Sequence, residues 1–184
     1  MHGYTSKDMA RSFRTVRANT VQIAEEIPED QYGFRPAPET RTVAETLAHL
    51  ACSTNWPMYF HGQRLTQIDF NLFMSMYQKQ LAEAASLTTK APLLDALRKK
   101  GEEFAGWLET LSDEVLAEAV HYPAGMQPPE KTRFEMLLAA KEHEMHHRAR
   151  LMTIERMLGI TPHLTRQMQE RMAQMGMTGQ AARG

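Results

Sequence analysis

His143-Glu-Met-His-His-Arg-Ala-Arg-Leu151 (HEMHHRARL) lies inside a long segment whose apolar residues recur at helical spacing. His143 and His147 are four residues apart, which on a helix places them one turn up and about 40° around the axis. That spacing lets two imidazoles grip one ion. Met136, Ala140, His143, His147, Ile154 and Met157 share a seam, so both histidines point where a core is expected. A buried imidazole needs partners for its polar atoms, and two of them in one apolar stripe are expensive unless something binds them. A divalent ion satisfies both nitrogens at once. The competing reading is a pair of core histidines hydrogen-bonded to other side chains. A third ligand is expected from another helix, and His49 is the best candidate. It faces the apolar side of its own helix near Ser53 and Trp56. Alone it would read as structural; its case rests on a pair elsewhere that lacks a third partner. Three neutral imidazoles leave one position open on a tetrahedral ion, as in a catalytic site. The set suits Zn²⁺, Ni²⁺ or Fe²⁺ and does not choose between them.

Outward from this stretch the chain reads as helices. Thr132-Arg-Phe-Glu135 forms a capping box ahead of the histidine segment, which runs to Leu158 and is closed by Gly159 and Pro162. Upstream, SDEVLAEAV is a short helical piece and HYPAGMQPPEK a turn-rich connection. The third long helix starts between Thr89 and Pro92, with Leu94, Leu97, Gly101, Phe104, Leu108 and Leu111 on one side. NLFMSMYQKQLAEAASL looks helical but has no firm face. Thr42-Val-Ala-Glu45 is another capping box; the helix it opens carries His49, Cys52 and Trp56, ends near Gly62, and is kinked or cut short by Pro57. The proline-bearing loop IPEDQYGFRPAPETRT precedes it. The first helix spans Thr5 to Ile27, with Met9, Phe13, Val16, Thr20, Ile23 and Ile27 as its stripe. No segment alternates strictly, so no sheet is expected. The reading is an all-α four-helix bundle over residues 1–162, with one extended connection between its second and third helices. Residues 163–184 form a Met-rich tail with Met168, Met172 and Met175 on one side, which either packs on a second subunit or frays.

A chain of 184 residues makes one domain with a sizeable core. A formal net charge of −1 and no basic stripe argue against nucleic acid. No apolar run spans a bilayer and no signal segment opens the chain, so no membrane partner is expected. The single cysteine, Cys52, excludes an intramolecular disulfide and makes a reduced cytoplasmic setting the default. Fourteen methionines point to a soft core or groove.

Five pieces together resemble the DinB/YfiT-like family of metalloenzymes: YGFRPAPE before the second helix, LAHLA around His49, TTKAPLLDAL at the start of the third, HEMHHRARL, and the closing MLGITP. Their order and separation carry the resemblance, which covers most of residues 5–162. It implies a four-helix bundle in which His49, His143 and His147 bind a divalent metal, and a homodimer. Characterised relatives include thiol S-transferases that use bacillithiol or mycothiol and a thiol-dependent isomerase. A low-molecular-weight thiol co-substrate is therefore implied. The family often has HHRGQ where this chain has HHRAR. If Arg150 faces the pocket, it favours an anionic group on a small-molecule substrate; if it snorkels outward, it says nothing.

His143-Glu-Met-His-His147 also fits H-E-x-x-H, the zinc-protease signature. A metzincin would need glycine at position 150 and histidine at 153, where Arg150 and Thr153 stand. Glu170 is at a tolerable distance for a glutamate ligand, but no substrate-aligning strand is visible. Glu144, about 100° around from His143, faces a neighbour or solvent. His146 is read as supporting the ligands from outside or as surface, Cys52 as near the metal or, more simply, a small buried thiol. Trp56 and Trp107 are most simply core, with Trp56 also a candidate to line a substrate pocket. Tyr32 and Arg35 belong to a loop over one end of the bundle, and His61 and His121 fall at predicted element ends, close to loops, where nothing in the sequence supports a role at a pocket mouth. His2 and His163 look terminal. Function follows as a metal-dependent transferase acting on a thiol, with two alternatives: a hydrolase using activated water, or a metal-binding dimeric bundle without catalysis.

Overall fold

A computed structural model describes residues 3–176. Helix α1 (Ser6–Glu26) opens with a capping box: the Thr5 hydroxyl accepts from the Asp8 amide, and the Asp8 carboxylate accepts from the Thr5 amide. The two bonds satisfy amides that a helix start leaves free. Past Ile27, Pro28 has no amide to continue the ladder. In the loop that follows, buried Tyr32 donates its hydroxyl to the Ala24 carbonyl at 2.7 Å. That bond draws the loop over one end of the helices. Thr42 and Glu45 form the second box and start α2 (Val43–Cys52). The chain breaks at Ser53 and Thr54 and restarts as α3 (Asn55–Gly62). Pro57 thus falls in the first turn of α3, where its missing amide is harmless.

Helix α4 (Phe70–Ser86) is capped by Asp69 and lies along α2, so the extended connection is itself largely helical. Helices α5 (Lys90–Glu109) and α6 (Asp113–Ala117) follow. Strands β1 (Ala119–His121) and β2 (Glu130–Thr132) pair antiparallel with Val120 opposite Lys131. This hairpin corrects the expectation of no sheet: three residues per strand are too few for alternation to register. Thr132 ends β2 and caps α7 (Arg133–Met157) through a third box with Glu135. Gly159 closes α7 at φ +78°, a conformation that glycine takes without strain. Helix α8 (His163–Gln174) then docks on α1, where Arg166 pairs with Glu26 at 2.6 Å and His163 meets Asn19 at 3.3 Å. His2 and the tail's end, residues 177–184, lie outside the described residues. Among the described residues no helix is long and apolar enough to cross a membrane.

Helices α1 and α2 each pack on both α5 and α7. They therefore occupy one diagonal of a four-helix bundle, with α5 and α7 on the other. Apolar packing falls into two clusters, one around Ile23, Leu47, Leu93 and Leu151, the other around Met9, Phe13, Phe104 and Leu137. Between them lies a buried ion pair. Arg17 donates from Nε and Nη2 to the Glu144 carboxylate at 2.7 and 2.8 Å. Its Nη1 reaches the Leu97 carbonyl at 3.0 Å and its Nη2 the Leu50 carbonyl at 3.0 Å. One guanidinium thus ties α1 to α7, α5 and α2. Gly101 makes room for it: a β-carbon there would stand 2.7 Å from Arg17 Cγ.

This layer sets the rotation of α7. Leu137, Glu144, His147, Leu151 and Ile154 are buried, whereas Met157, placed by spacing on the inner seam, is 54% exposed. Nor do methionines fill the core: Met9 is buried, but Met126, Met145, Met168 and Met175 are exposed. Near α8, Glu155 is wholly buried, and neither carboxyl oxygen has a hydrogen-bond partner among the described residues. Burial first, then the Glu26 carboxylate, pushes its pKa up to about 7.

Two outcomes are expected. Glycine to alanine in a helix normally gains about 1 kcal/mol, but overpacking against a side chain held by this many bonds costs about 1–3 kcal/mol. Gly101→Ala should therefore lower Tm by about 3 °C or more; an unchanged or raised Tm would show that Arg17 is free to move aside. Glu155 has a folded pKa above its ordinary value. Its contribution to stability is full below about pH 4.5 and is lost as pH rises through about 7. Urea unfolding of Glu155→Gln should show a gain of about 2 kcal/mol at pH 8 and little change at pH 4.5. Equal gains at both pH values would contradict this.

Candidate metal centre

Helices α2 and α7 pack together in the bundle, and each presents imidazoles to the other. His49 comes from the last turn of α2; His143 and His147 come from consecutive turns of α7. His49 Nε2 and His143 Nε2 are 2.9 Å apart. The ring centroids lie 4.8, 4.9 and 4.7 Å from one another, and one nitrogen from each ring falls within 4.8 Å of the others. On a tetrahedral ion, ligand nitrogens about 2.0–2.1 Å from the metal stand roughly 3.3 Å apart. The observed separations bracket that value. Hydrogen bonding does not account for the third ring, since His147 Nδ1 is buried with no partner among the described residues. Burial is the main cause that lowers all three pKa values, His49 to about 4 and His147 to about 3, with His143 lowered as well. The Arg41 cation acts in the same direction on each. Neutral imidazole is the form that ligates. The donor set therefore fits a divalent ion.

His49 stands in the wall between two cavities. One, of about 610 Å³, is lined by Arg35, Arg41, Glu39, Glu45, Ala44 and Ala48. The other, of about 390 Å³, also touches His143 and is lined by Trp56, Phe73, Tyr77 and Tyr122, with His61, Lys131 and Glu135. Gln80 of α4 borders both. In the aromatic cavity Trp56 meets Phe73 edge-on at 5.1 Å, and Phe73 stacks on Tyr77 at 6.1 Å. Phe73, Tyr77 and Gln80 share one face of α4, so α4 forms the outer wall. His61 is 3% exposed, and burial, then Arg133, lowers its pKa to about 4.

The structure sorts the residues singled out by spacing. His49, His143 and His147 come together. Trp56 lines the aromatic cavity beside two of them. His146 is exposed, its ring edge-on to His147 at 5.0 Å. Arg150 is half-buried and lines neither cavity; Arg41 and Arg35 line the larger one, with Arg35 paired to Glu45 at 3.2 Å. Cys52 is fully buried away from the triad, and burial, then Glu83, pushes its thiol up to about 11. Glu144 faces Arg17, so it cannot be the base of a zinc protease, and Glu170 is exposed on α8. His121 pairs with Glu130 on the hairpin, at 3.1 Å. Arg41, Gln80 and the α4 aromatics escaped the sequence reading. Arg41 lies in a loop with no periodicity, and α4 shows no firm stripe because half of its exposed-looking face lines cavities.

The chain matches the family model of the DinB superfamily over residues 12–151. A DinB-like protein of Bacillus subtilis, YjoA, is 24% identical, covers 83% of this chain and 92% of its own, and superposes with a TM-score of 0.62. YfiT from Bacillus subtilis, described as a probable metal-dependent hydrolase with an unusual four-helix bundle topology, is 17% identical over 88% of this chain and 91% of its own, with a TM-score of 0.62. An uncharacterised protein from Clostridium difficile 630 is 15% identical over 85% and 98%, with a TM-score of 0.64. At these identities the structural likeness speaks for the fold alone. No curated protein matches the sequence. Because the family match spans more than half of the chain and includes all three histidines of the centre, this protein belongs to the DinB superfamily.

Proposed function

We propose that the protein is a divalent-metal-dependent enzyme that transfers a thiol to an electrophilic small molecule. The observation that carries this is the convergence of three uncharged imidazoles from two helices, with His49 lining both cavities and His143 one of them. His49, His143 and His147 would hold a divalent ion, which would supply the Lewis acidity that lowers the pKa of a thiol or water. The chain's own residues do the rest. Arg41 and Arg35 hold an acidic thiol in the larger cavity, while the aromatic walls hold the electrophile. The thiol's proton leaves to solvent, sulfur forms the new bond to carbon, and the leaving group departs with its electron pair. Hydrolysis is the second reading, favoured by the description of YfiT. It calls for a general base near the ion; Glu144 is occupied by Arg17 at 2.7 Å, and Glu135, on the wall of the aromatic cavity, accepts from the Thr132 amide at 2.8 Å.

Metal analysis of protein purified without added ions should find about one divalent ion per chain. His143→Ala should lose it while keeping its helical far-ultraviolet signal, and His146→Ala should keep it. Stoichiometric metal in His143→Ala contradicts the assignment. In assays of acidic-thiol consumption with an electrophilic aromatic, Arg41→Ala should raise the thiol KM by about tenfold with kcat little changed. Metal-dependent ester cleavage without thiol consumption would favour the hydrolase.

A further inference from the structure

The aromatic cavity contains two buried polar side chains whose hydrogen-bonding capacity is unused. His61, on α3, accepts at Nδ1 from Arg133 Nη1 at 3.1 Å. Arginine can only donate, so the neutral imidazole must carry its proton on Nε2. Arg133 is itself wholly buried and is anchored by Glu118 at 2.7 Å, which fixes the ring and its tautomer. Nε2 has no hydrogen-bond partner among the described residues, yet it is not among the atoms walled off from solvent. Its N–H is therefore free for whatever enters the cavity that His61 lines. Across that space Gln80 is 8% exposed, and its amide likewise forms no hydrogen bond among the described residues. Both groups open on the cavity instead of being sealed by protein, so a ligand there can take up their hydrogen bonds. Between them stand the half-buried faces of Trp56, Phe73 and Tyr77, which suit a planar ring.

We propose that this cavity binds a substrate built as an aryl ring carrying an acceptor oxygen, a carbonyl or carboxylate, and that His61 donates its Nε2–H to that oxygen. Lys131 and Glu135 both stand on the cavity wall, so the class includes neutral carbonyls as well as carboxylates. Such a pose sets the ring beside His49 and His143, where the reacting atom of an aryl electrophile belongs. The proposal rests on the enzymatic reading of the centre for the reaction, but not for the binding.

The test uses the full chain, stripped of metal and labelled with ¹⁵N-histidine. Long-range ¹H–¹⁵N spectra at pH 7 should show His61 as the Nε2–H tautomer, and saturating benzoate should move its Nε2 resonance. Cyclohexanecarboxylate, which lacks the ring, and benzylamine, which lacks the acceptor, should each bind about tenfold more weakly or worse. His61→Phe and Trp56→Leu should weaken benzoate by a similar factor, and His61→Gln, which keeps a donor, should restore most of the affinity. An Nδ1–H tautomer, benzoate binding that leaves Nε2 unmoved, or equal affinity for the three probes would overturn the proposal. The tautomer and the shift are read on the unsubstituted chain, so they stand even if a variant fails to fold. Benzoate binding is read on the metal-stripped chain and metal content on the unstripped one, so failure of the metal centre and failure of this cavity register separately.

Discussion

A single guanidinium, Arg17, holds the bundle in register. It is 4% exposed, bonds the Glu144 carboxylate in a fork, and takes backbone carbonyls from both α2 and α5. A charge this deep is tolerable only when every donor is directed at an acceptor, and removing one partner costs more than the pair contributes. The geometry is therefore strict. Gly101 is small because Arg17 passes against it, and Glu144 faces inward because nothing else nearby balances the charge. Apolar packing above and below supplies the bulk of the stabilisation, but it does not dictate helix rotation as sharply. The ion pair does.

That rotation determines the candidate site. With Glu144 turned toward α1, His143 and His147 are left to face α2, where His49 meets them. The same contact withdraws the one carboxylate that could have turned the histidine segment into a protease-like centre. A pattern that satisfies H-E-x-x-H in sequence is thereby divided by the tertiary structure into two separate jobs, structural for the glutamate and ligand-like for the histidines. Burial keeps those imidazoles uncharged, and the Arg41 cation reinforces it.

Helix α4 has a different role. It sits outside the four-helix core, and its inward face contributes aromatic rings and Gln80 rather than a continuous aliphatic stripe. Its periodicity is weak because part of that face borders open space instead of packed side chains. Likewise Arg133 and His61 are distant in sequence, and only the hairpin's placement of Arg133 at the head of α7 sets the tautomer of His61. Neither feature has a local signature.

From residue order alone came the four long helices, the capping boxes at Thr42 and Thr132, the turn at Gly159, and the three histidines as one candidate set, the last supported by family resemblance. These were legible because caps, prolines and helical stripes act over a few neighbouring residues. The tertiary structure alone decided the inward turn of Glu144, the short hairpin, the replacement of Arg150 by Arg41 as the cation near the site, and the burial of Cys52 away from it. Each of those depends on a partner far along the chain, and a polar residue's side of a helix is set by whether such a partner arrives to satisfy it.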